Sequence, residues 1–323
     1  MSLSMPEAEA LFGRMLDGDI SDAEIRDLLV ELADRGETAE EIAGAVSAMR
    51  ARMKRISAPD NAIDVCGTGG DGQHSLNIST AVAVVVAACD VPVAKHGNRA
   101  ASSKAGGADT LEALGLDLAR ASEKAEETLD EIGIAFLFAQ AHHPALGRIA
   151  PIRKALGRRT IFNLLGPLAN PAGVTRQLVG VASPALLPTY RRAMDLLAME
   201  RAIVVSGEEG LDELSIAGPT RVETIRIEGV DDIVTPADAE LPSHALAEIR
   251  GGDAAFNAAA LRRLLDGELG AYRDAVLLNA AGALIVAGEA ESWPEGVEEA
   301  AEAIDKGLAK ALLDCWIDAV RQD

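Results

Sequence analysis

The chain has 323 residues, of which 49% are hydrophobic and 25% charged, and its formal net charge at pH 7 is −21. This length and composition are typical of a globular protein with one large and one smaller domain. The negative charge excludes nucleic acid and anionic membranes as expected partners, and no apolar run is long enough to span a bilayer. The N-terminal segment is acidic, unlike a secretory signal, so we expect a cytoplasmic protein.

The cysteines do not form a recognisable metal or disulfide pattern. Cys66, Cys89 and Cys315 are scattered along the chain without a C-x-x-C pair. We therefore expect buried structural thiols rather than a zinc site or a disulfide framework.

Residues 5–55 are predicted to form three short helices. Ser21–Glu24 and Thr38–Glu41 each fit a capping box at a helix start. The apolar residues that follow recur at helical spacing, with one set at Ile25, Leu28, Leu29 and Leu32 and the next at Ile42, Val46, Met49 and Met53. These stripes predict either a core or an interface with another subunit.

The pattern changes after the turn-rich segment SAPDN, which marks a boundary near residue 58. The strand-like runs AIDVC, VPVAKH, AFLFA, RAIVVSG and ETIRI alternate with helical stretches such as TAVAVVVAA and ALLPTYRRAMDLLA. This alternation predicts an α/β fold with a mainly parallel central sheet flanked by helices. Ligands of such folds bind at the carboxyl ends of the strands.

The glycine-rich segment GTGGDG, residues 67–72, follows the first of these strands. Three interpretations remain open: a tight turn, a dinucleotide-binding loop, and half of a phosphate site. A dinucleotide-binding loop also requires an acidic residue at the end of the next strand. Asp90 has roughly the right spacing but precedes that strand, so this interpretation is disfavoured. Polar residues that crowd the start of the following helix favour an anion site, namely Asn77, Ser79 and Thr80.

A second polar loop, KHGNRAASSKAGGAD at residues 95–109, follows the next strand. Its bases, glycines and serines suit phosphate binding. Since successive parallel strands end at one sheet edge, we expect both loops to meet there. Asp212 and Glu213, after the strand RAIVVSG, are either solvated or ligands of Mg²⁺. Arg153 could bind a carboxylate in bidentate fashion, whereas His142 and His143 lack the spacing of a zinc site.

Together these segments resemble the anthranilate phosphoribosyltransferase family over nearly the whole chain. The strings that match, in order, are GTGGDG, NIST, KHGNRAASSKAGGADTLEALG, HHPALGRIAPIRKALGRRTIFNLLGPLANP, GLDELS, GGDAAFNAAALRRLLDGE and DAVLLNAAGAL. The resemblance implies a small helical domain, residues 1–58 with about 142–175, and an α/β domain, residues 59–141 and 176–323. It also implies a homodimer formed through the helical domain.

The resemblance further implies a reaction and a set of site residues. The 5-phosphoribosyl group of phosphoribosyl pyrophosphate would pass to the amine of anthranilate, with Mg²⁺ as cofactor, two ions per subunit. Positions matching the donor site are Gly67, Gly70, Asp71, Ser75, Asn77, Ile78, Ser79, Thr80, Lys95, His96, Gly97, Asn98, Arg99, Ala100, Ala101, Ser102, Ser103 and Gly107. Anthranilate would contact Gly67, Asn98 and Arg153, and the metal would contact Ser79, Asp212 and Glu213.

The sequence departs from the family pattern at Gly107, where serine is usual, so that a hydroxyl contact is absent. No residue is assigned as a general base, although His96 could orient or shuttle a proton. The rival interpretations are a pyrimidine nucleoside phosphorylase, a nucleic-acid-binding relative of the same fold, and, more distantly, a dehydrogenase.

Overall fold

The computed structural model describes residues 2–100 and 104–321. Within them the helices are α1 Met5–Asp17, α2 Asp22–Arg35, α3 Ala39–Arg50, α4 Ile78–Ala87, α5 Gly107–Leu114, α6 Leu118–Glu123, α7 Ala125–Ile132, α8 Ala139–His142, α9 Ile149–Leu156, α10 Phe162–Leu165, α11 Leu187–Leu196, α12 Ala254–Leu265, α13 Ala271–Ala287, α14 Trp293–Asp305 and α15 Leu308–Arg321. The strands are β1 Ile63–Gly67, β2 Val93–Gly97, β3 Ile134–Phe138, β4 Arg176–Gly180, β5 Arg201–Gly207, β6 Thr220–Ile225 and β7 Ile233–Val234.

The N-terminal helices begin where the capping boxes predict. Ser21 caps α2 and Thr38 caps α3, each paired with the glutamate three residues later. Apolar residues on one side of α2 and α3 are buried within this chain, so that part of both stripes is core; these are Ile25, Leu29, Leu32, Ile42, Val46 and Met49. Helix α3 ends at Arg50, so Met53 lies beyond it.

The strands form one sheet in the order β3-β2-β1-β4-β5-β6-β7. Strands β1 to β5 run parallel, and β6 and β7 are antiparallel additions at one edge. The predicted mainly parallel α/β sheet is therefore confirmed. The sequence interpretation missed β4, which lies in the centre of the sheet beside β1, and the two-residue β7.

Helices cover both faces of the sheet, as a parallel sheet requires. One core contains apolar residues of α4 and α12–α15, together with Val65 and Ile203 of the sheet. The other contains α1–α3 and α9–α11, together with Val179 and Val204. The segment 149–169 thus packs with the N-terminal helices, although the exact domain bounds stay a prediction.

Among the described residues, no helix combines the length and apolar character needed to cross a membrane. All three cysteines are free thiols, with Cys66 buried and Cys89 half-buried. Cys315 is exposed on α15, so the expectation of buried thiols is wrong there.

Candidate active site

The order of the strands reverses between β1 and β4. From β1 the chain continues to β2 and β3 on one side, then returns to β4 and β5 on the other. Loops that leave the carboxyl ends of β1 and β4 diverge, which opens the crevice where α/β sheets bind ligands. Four strands around this point end in glycine, namely Gly67, Gly97, Gly180 and Gly207.

The segment after β5 crosses the ends of β1 and β4. A Cβ atom added to Gly67 would lie 2.2 Å from Asp212 Oδ2, and one added to Gly180 would lie 1.6 Å from the Asp212 carbonyl oxygen. Only glycine leaves room for this approach, which places Asp212 and Glu213 over the crevice.

Three carboxyl groups gather there. Gly69 N–H donates to Asp212 Oδ2 at 2.7 Å, and the Asp71 carboxylate lies close enough to raise the pKa of Asp212. Burial, followed by repulsion from the neighbouring carboxylates, raises the pKa of both Asp212 and Glu213 well above the ordinary range. A cluster that resists ionisation in this way is stabilised by a bound cation.

The cluster also touches the start of α4. The backbone N–H of Ser79 opposes the rise in the pKa of Glu213, and the Ser79 hydroxyl accepts a hydrogen bond of 3.1 Å from Lys95 Nζ. Lys95 is buried and donates a second hydrogen bond, of 2.7 Å, to the Val65 carbonyl. Its charge opposes the rise in the pKa of Glu213. Predicted donor and metal positions from three separate strand ends therefore meet at this point.

A buried acid beneath the crevice was missed from the sequence. Asp64 Oδ2 accepts a hydrogen bond of 2.8 Å from Asn170 Nδ2, and its Oδ1 accepts one of 3.2 Å from His96 N–H. Burial raises the pKa of Asp64, and the charge of Lys95 opposes that rise. A charged residue inside the apolar run AIDVC was the signal that could have identified it.

Positive φ angles at three glycines determine the shape of the glycine loop. Gly69, Gly70 and Gly72 have φ values of +69°, +78° and +74°, which favour glycine. Asp71 Oδ1 accepts the Gln73 N–H at 3.2 Å, while Asp71 Oδ2 is buried without a donor among the described residues. The loop thus leaves an acidic oxygen free at the crevice.

Several predicted donor contacts at α4 are engaged within the protein. Asn77 Oδ1 accepts hydrogen bonds from Thr110 Oγ1 at 2.5 Å and Asn257 Nδ2 at 2.8 Å. The side chains of Ile78 and Thr80 are buried, and Ser75 pairs with Arg250 as an isolated β-bridge. Binding of a ligand by this segment would therefore use the backbone more than these side chains.

The second polar loop lies against the start of α4, the helix that follows the glycine loop. Asn77 Nδ2 donates to the Ala105 carbonyl at 3.4 Å, and a Cβ atom on Gly107 would lie 2.9 Å from Thr80 Oγ1. Because β1 and β2 are parallel neighbours, the two loops leave the same edge of the sheet, as predicted. Gly107 begins α5, so the serine usual in the family would displace the buried Thr80 unless the backbone shifted.

Arg99 differs from the expectation of a free phosphate ligand. Its guanidinium pairs with Asp109 at 2.9 Å and with Glu112 at 2.7 Å, and it lies over the ring of Phe138. Asn98 and Arg99 are exposed, and Gly97 and Ala100 are half-buried. The predicted donor positions Ala101, Ser102 and Ser103 lie outside the described residues.

Arg153 lies on α9, half-buried, with its guanidinium carbon 5.5 Å from the centre of the Phe162 ring. Asn163 Oδ1 accepts a hydrogen bond of 3.4 Å from Arg153 Nη2 and one of 3.1 Å from Thr160 N–H. Burial lowers the pKa of Arg153, and the hydroxyl of Thr160 has no partner among the described residues. This region can accept an anionic group.

Two neutral imidazoles lie close together, one on β2 and one directly after α8. The ring centres of His96 and His143 are 5.2 Å apart. Burial, and then the charge of His143, lower the pKa of His96 to about 3. Burial, and then the charge of His142, lower the pKa of His143 to about 4. Within the described part of the chain, Nε2 of each ring is buried without a hydrogen-bond partner.

Comparisons with known proteins agree with this geometry. Residues 59–310 match the sequence model described as glycosyl transferase family, a/b domain, and residues 1–53 match the helical bundle domain of the same family. Anthranilate phosphoribosyltransferase of Novosphingobium aromaticivorans is 67% identical over 98% of this chain and 97% of its own length. The enzyme of Sphingopyxis alaskensis is 66% identical over 98% and 95%.

The chain belongs to the anthranilate phosphoribosyltransferase family. A solved member of the family from Thermus thermophilus superposes with a TM-score of 0.95 at 42% identity, covering 100% of this chain and 97% of that one. The Saccharomyces cerevisiae member, solved in complex with PRPP and Mg, gives a TM-score of 0.89 at 29% identity, covering 99% and 94%. The family predicted from the sequence motifs is therefore confirmed.

Proposed function

We propose that this protein transfers the 5-phosphoribosyl group of phosphoribosyl pyrophosphate to the amine of anthranilate. The products are N-(5-phosphoribosyl)anthranilate and pyrophosphate, in a step of tryptophan biosynthesis. The observation that carries this proposal is the crevice beside β1 and β4, where Asp212 and Glu213 meet Lys95 at the start of α4. The names of the relatives, and the yeast complexes with PRPP and with 4-fluoroanthranilate, support both substrates.

The acidic cluster fits Mg²⁺ by its chemistry. Its donors are carboxylate and hydroxyl oxygens, the ligands that Mg²⁺ prefers. The unpartnered Asp71 Oδ2 and the raised pKa values of Asp212 and Glu213 are what a cation would relieve. When bound, Mg²⁺ would neutralise charge on the departing pyrophosphate. We propose Ser79, Asp212 and Glu213 as its protein ligands, with two ions per subunit.

Within residues 2–100 and 104–321, no three His, Cys, Asp or Glu side chains form a ready-made metal site. Water and substrate phosphate oxygens would therefore complete the coordination, as is usual for Mg²⁺ in phosphate-binding sites. This arrangement would couple metal binding to donor binding.

The donor would lie across the two loops that meet at the crevice. Backbone N–H groups of the glycine loop and of the first turn of α4 suit its phosphates, since a helix N-terminus favours anions. Lys95 supplies a buried positive charge. The proposed donor contacts are Gly67, Gly70, Asp71, Ser75, Asn77, Ile78, Ser79, Thr80, Lys95, His96, Gly97, Asn98, Arg99, Ala100, Ala101, Ser102, Ser103 and Gly107.

The acceptor would be oriented by its carboxylate. Arg153 has a half-buried guanidinium held by one long hydrogen bond to Asn163, which leaves donors for a bidentate contact. Gly67 and Asn98 are the other proposed contacts of anthranilate. This orientation would direct the amine toward the anomeric carbon of the donor.

Attack by the amine of anthranilate does not require a strong base from the protein. An aniline nitrogen is neutral at pH 7, and its lone pair forms the new C–N bond as the C–O bond to pyrophosphate breaks. The nitrogen then loses one proton, to water or to the departing pyrophosphate. His96 Nδ1 lies 2.9 Å from the Gly166 carbonyl, so the proton belongs on Nδ1 and Nε2 carries a lone pair. A nitrogen with a pKa of about 3 accepts a hydrogen bond but is a poor proton acceptor. We therefore assign His96 to orientation of the amine.

The segment 142–175 is proposed to join residues 1–58 in a small domain that closes over the site and forms a homodimer. Ion pairs support the first part, because Arg148 contacts Asp22 and Arg158 contacts Asp34 of α2. Closure would exclude water, which otherwise hydrolyses the activated ribose.

Loss of anthranilate fluorescence tests the function directly. We expect the signal to fall only when phosphoribosyl pyrophosphate and Mg²⁺ are both present, and to stop falling when EDTA is added. Unchanged fluorescence under all conditions would refute the proposal. Cleavage of thymidine by the protein in phosphate would instead favour a nucleoside phosphorylase.

A further inference from the structure

A buried amide on α13 holds the backbone immediately after the candidate metal ligands. Asn279 Oδ1 accepts the Leu214 N–H at 2.9 Å, and Asn279 Nδ2 donates to the Leu214 carbonyl at 3.0 Å. Nδ2 also donates to the Ala275 carbonyl of its own helix at 2.9 Å. Asn279 and Leu214 are both fully buried. The amide therefore binds both backbone groups of one residue outside its helix.

The same face of α13 receives the Leu214 side chain. Gly282 lies one turn after Asn279, and a Cβ atom there would come within 2.9 Å of Leu214 Cδ1. Tyr272, two turns before Asn279, donates from its hydroxyl to the Asn77 carbonyl at 3.2 Å. Helix α13 thus contacts both segments that flank the crevice, at Leu214 and at the start of α4.

We propose that Asn279 is a positioning residue that holds the Asp212–Glu213 segment in the geometry needed for Mg²⁺ and the donor. This inference rests on the proposed function, because it assigns a role toward the same metal and substrate.

The physical reason is geometric. The segment passes over the ends of β1 and β4 so closely that a Cβ atom on Gly67 or Gly180 would overlap Asp212. A metal site on such a segment needs the backbone of the segment to be held in place. The anchor is at Leu214, which directly follows Glu213, so a shift of Leu214 moves the Glu213 carboxylate. Partners that orient metal ligands typically change metal affinity by about 10- to 100-fold.

The test compares Asn279→Leu, which removes all three hydrogen bonds of the amide but keeps a branched side chain, with Asn279→Ser, which leaves space for a water molecule. Arg273→Met is the control, because Arg273 lies on α13 and pairs with Asp305 but does not bond Leu214. The control reports what general loosening of α13 does. Asn279→Ser keeps the test valid if the leucine variant fails to fold.

Three quantities are measured on the full-length protein. Calorimetry gives the affinity for phosphoribosyl pyrophosphate as Mg²⁺ is varied, and kinetics gives KM for anthranilate. Hydrogen exchange, without metal, gives the protection of residues 211–216. We expect the Mg²⁺ concentration for half-maximal donor binding to rise about tenfold in Asn279→Ser. We also expect faster exchange at 211–216, with little change in KM for anthranilate, and no change in Mg²⁺ dependence for Arg273→Met.

The outcomes separate the two proposals. If the unsubstituted protein binds the donor without any dependence on Mg²⁺, the proposed function of the acidic cluster is wrong. If that dependence is present and Asn279→Ser retains it unchanged, Asn279 has only a structural role. An equal loss in Arg273→Met would likewise refute a specific positioning role.

Discussion

Replacing Asp212 by asparagine should stabilise the metal-free protein above neutral pH. Asp212 Oδ2 accepts the Gly69 N–H, and an asparagine Oδ1 can keep that bond. The new amide could also donate to Asp71, which replaces repulsion between carboxylates by attraction. At ~4 Å and an effective dielectric constant of ~20, two carboxylates repel by about 4 kcal/mol. Because the group is partly solvated, we expect a gain of ~1–3 kcal/mol, or a few degrees in Tm.

The sign of the pH dependence follows from the raised pKa values. Stability from a carboxyl whose pKa rises on folding is present below its unfolded pKa, near 4, and is lost as pH increases through the folded value. The advantage of Asp212→Asn should therefore be small at pH 5 and largest at pH 8. Thermal unfolding in EDTA at both pH values measures it.

A matched control is Asp238→Asn, since hydrogen bonds from Thr235 lower the pKa of Asp238. A carboxyl with a lowered pKa contributes its stability above the unfolded value, so this control should show no gain from pH 5 to pH 8. If Asp212→Asn leaves Tm unchanged or lowers it at pH 8, the carboxyl groups do not repel as argued.

The remaining predictions concern the acceptor side and the crevice. Arg153→Ala should raise KM for anthranilate by about 100-fold, because a charge-assisted contact is lost, and should raise KM for the donor far less. Equal increases in the two KM values would reject the assignment of Arg153 to anthranilate. Asn163→Ala should raise KM for anthranilate several-fold, because the Arg153 guanidinium loses its anchor; steady-state kinetics that match the unsubstituted protein would contradict this. Gly67→Ala should abolish activity, since the new Cβ would meet Asp212 Oδ2 at 2.2 Å. Gly147→Ala should behave normally, because the new Cβ would meet no described atom within 4 Å apart from its own local backbone. Retained activity in Gly67→Ala would show that the close contact between Asp212 and residue 67 is not required for the reaction.

Local pattern was sufficient for much of the fold. The runs in β3 and β5, IAFLF and AIVV, are apolar and short, so the sequence alone identifies them as buried strands. Strand β4, with the sequence RQLVG, begins with two polar residues. Gln177 is nevertheless buried because its amide donates to the Pro167 carbonyl at 2.8 Å, a contact that no local pattern reveals.

In the candidate site, too, some residues can be recognised from the sequence and others cannot. Glycine loops and acidic pairs after strands carry a local signal, and the structure brings them together. The side chains that hold them do not carry one, because Asn257 and Asn279 are ordinary residues of α12 and α13 until tertiary packing supplies Asn77 and Leu214 as partners. Arg99 is similar, since its basic loop predicts a phosphate ligand, whereas its ion pairs with Asp109 and Glu112 of α5 depend on tertiary structure.

The central claim is that one crevice, between the glycine loop and the Asp212–Glu213 segment, holds a metal-bound sugar polyphosphate. A crystal structure with phosphoribosyl pyrophosphate and Mg²⁺ tests it most directly. We expect metal density at the carboxylates of Asp212 and Glu213 and pyrophosphate oxygens at the first turn of α4. A donor bound elsewhere, with these carboxylates free of metal, would contradict the account.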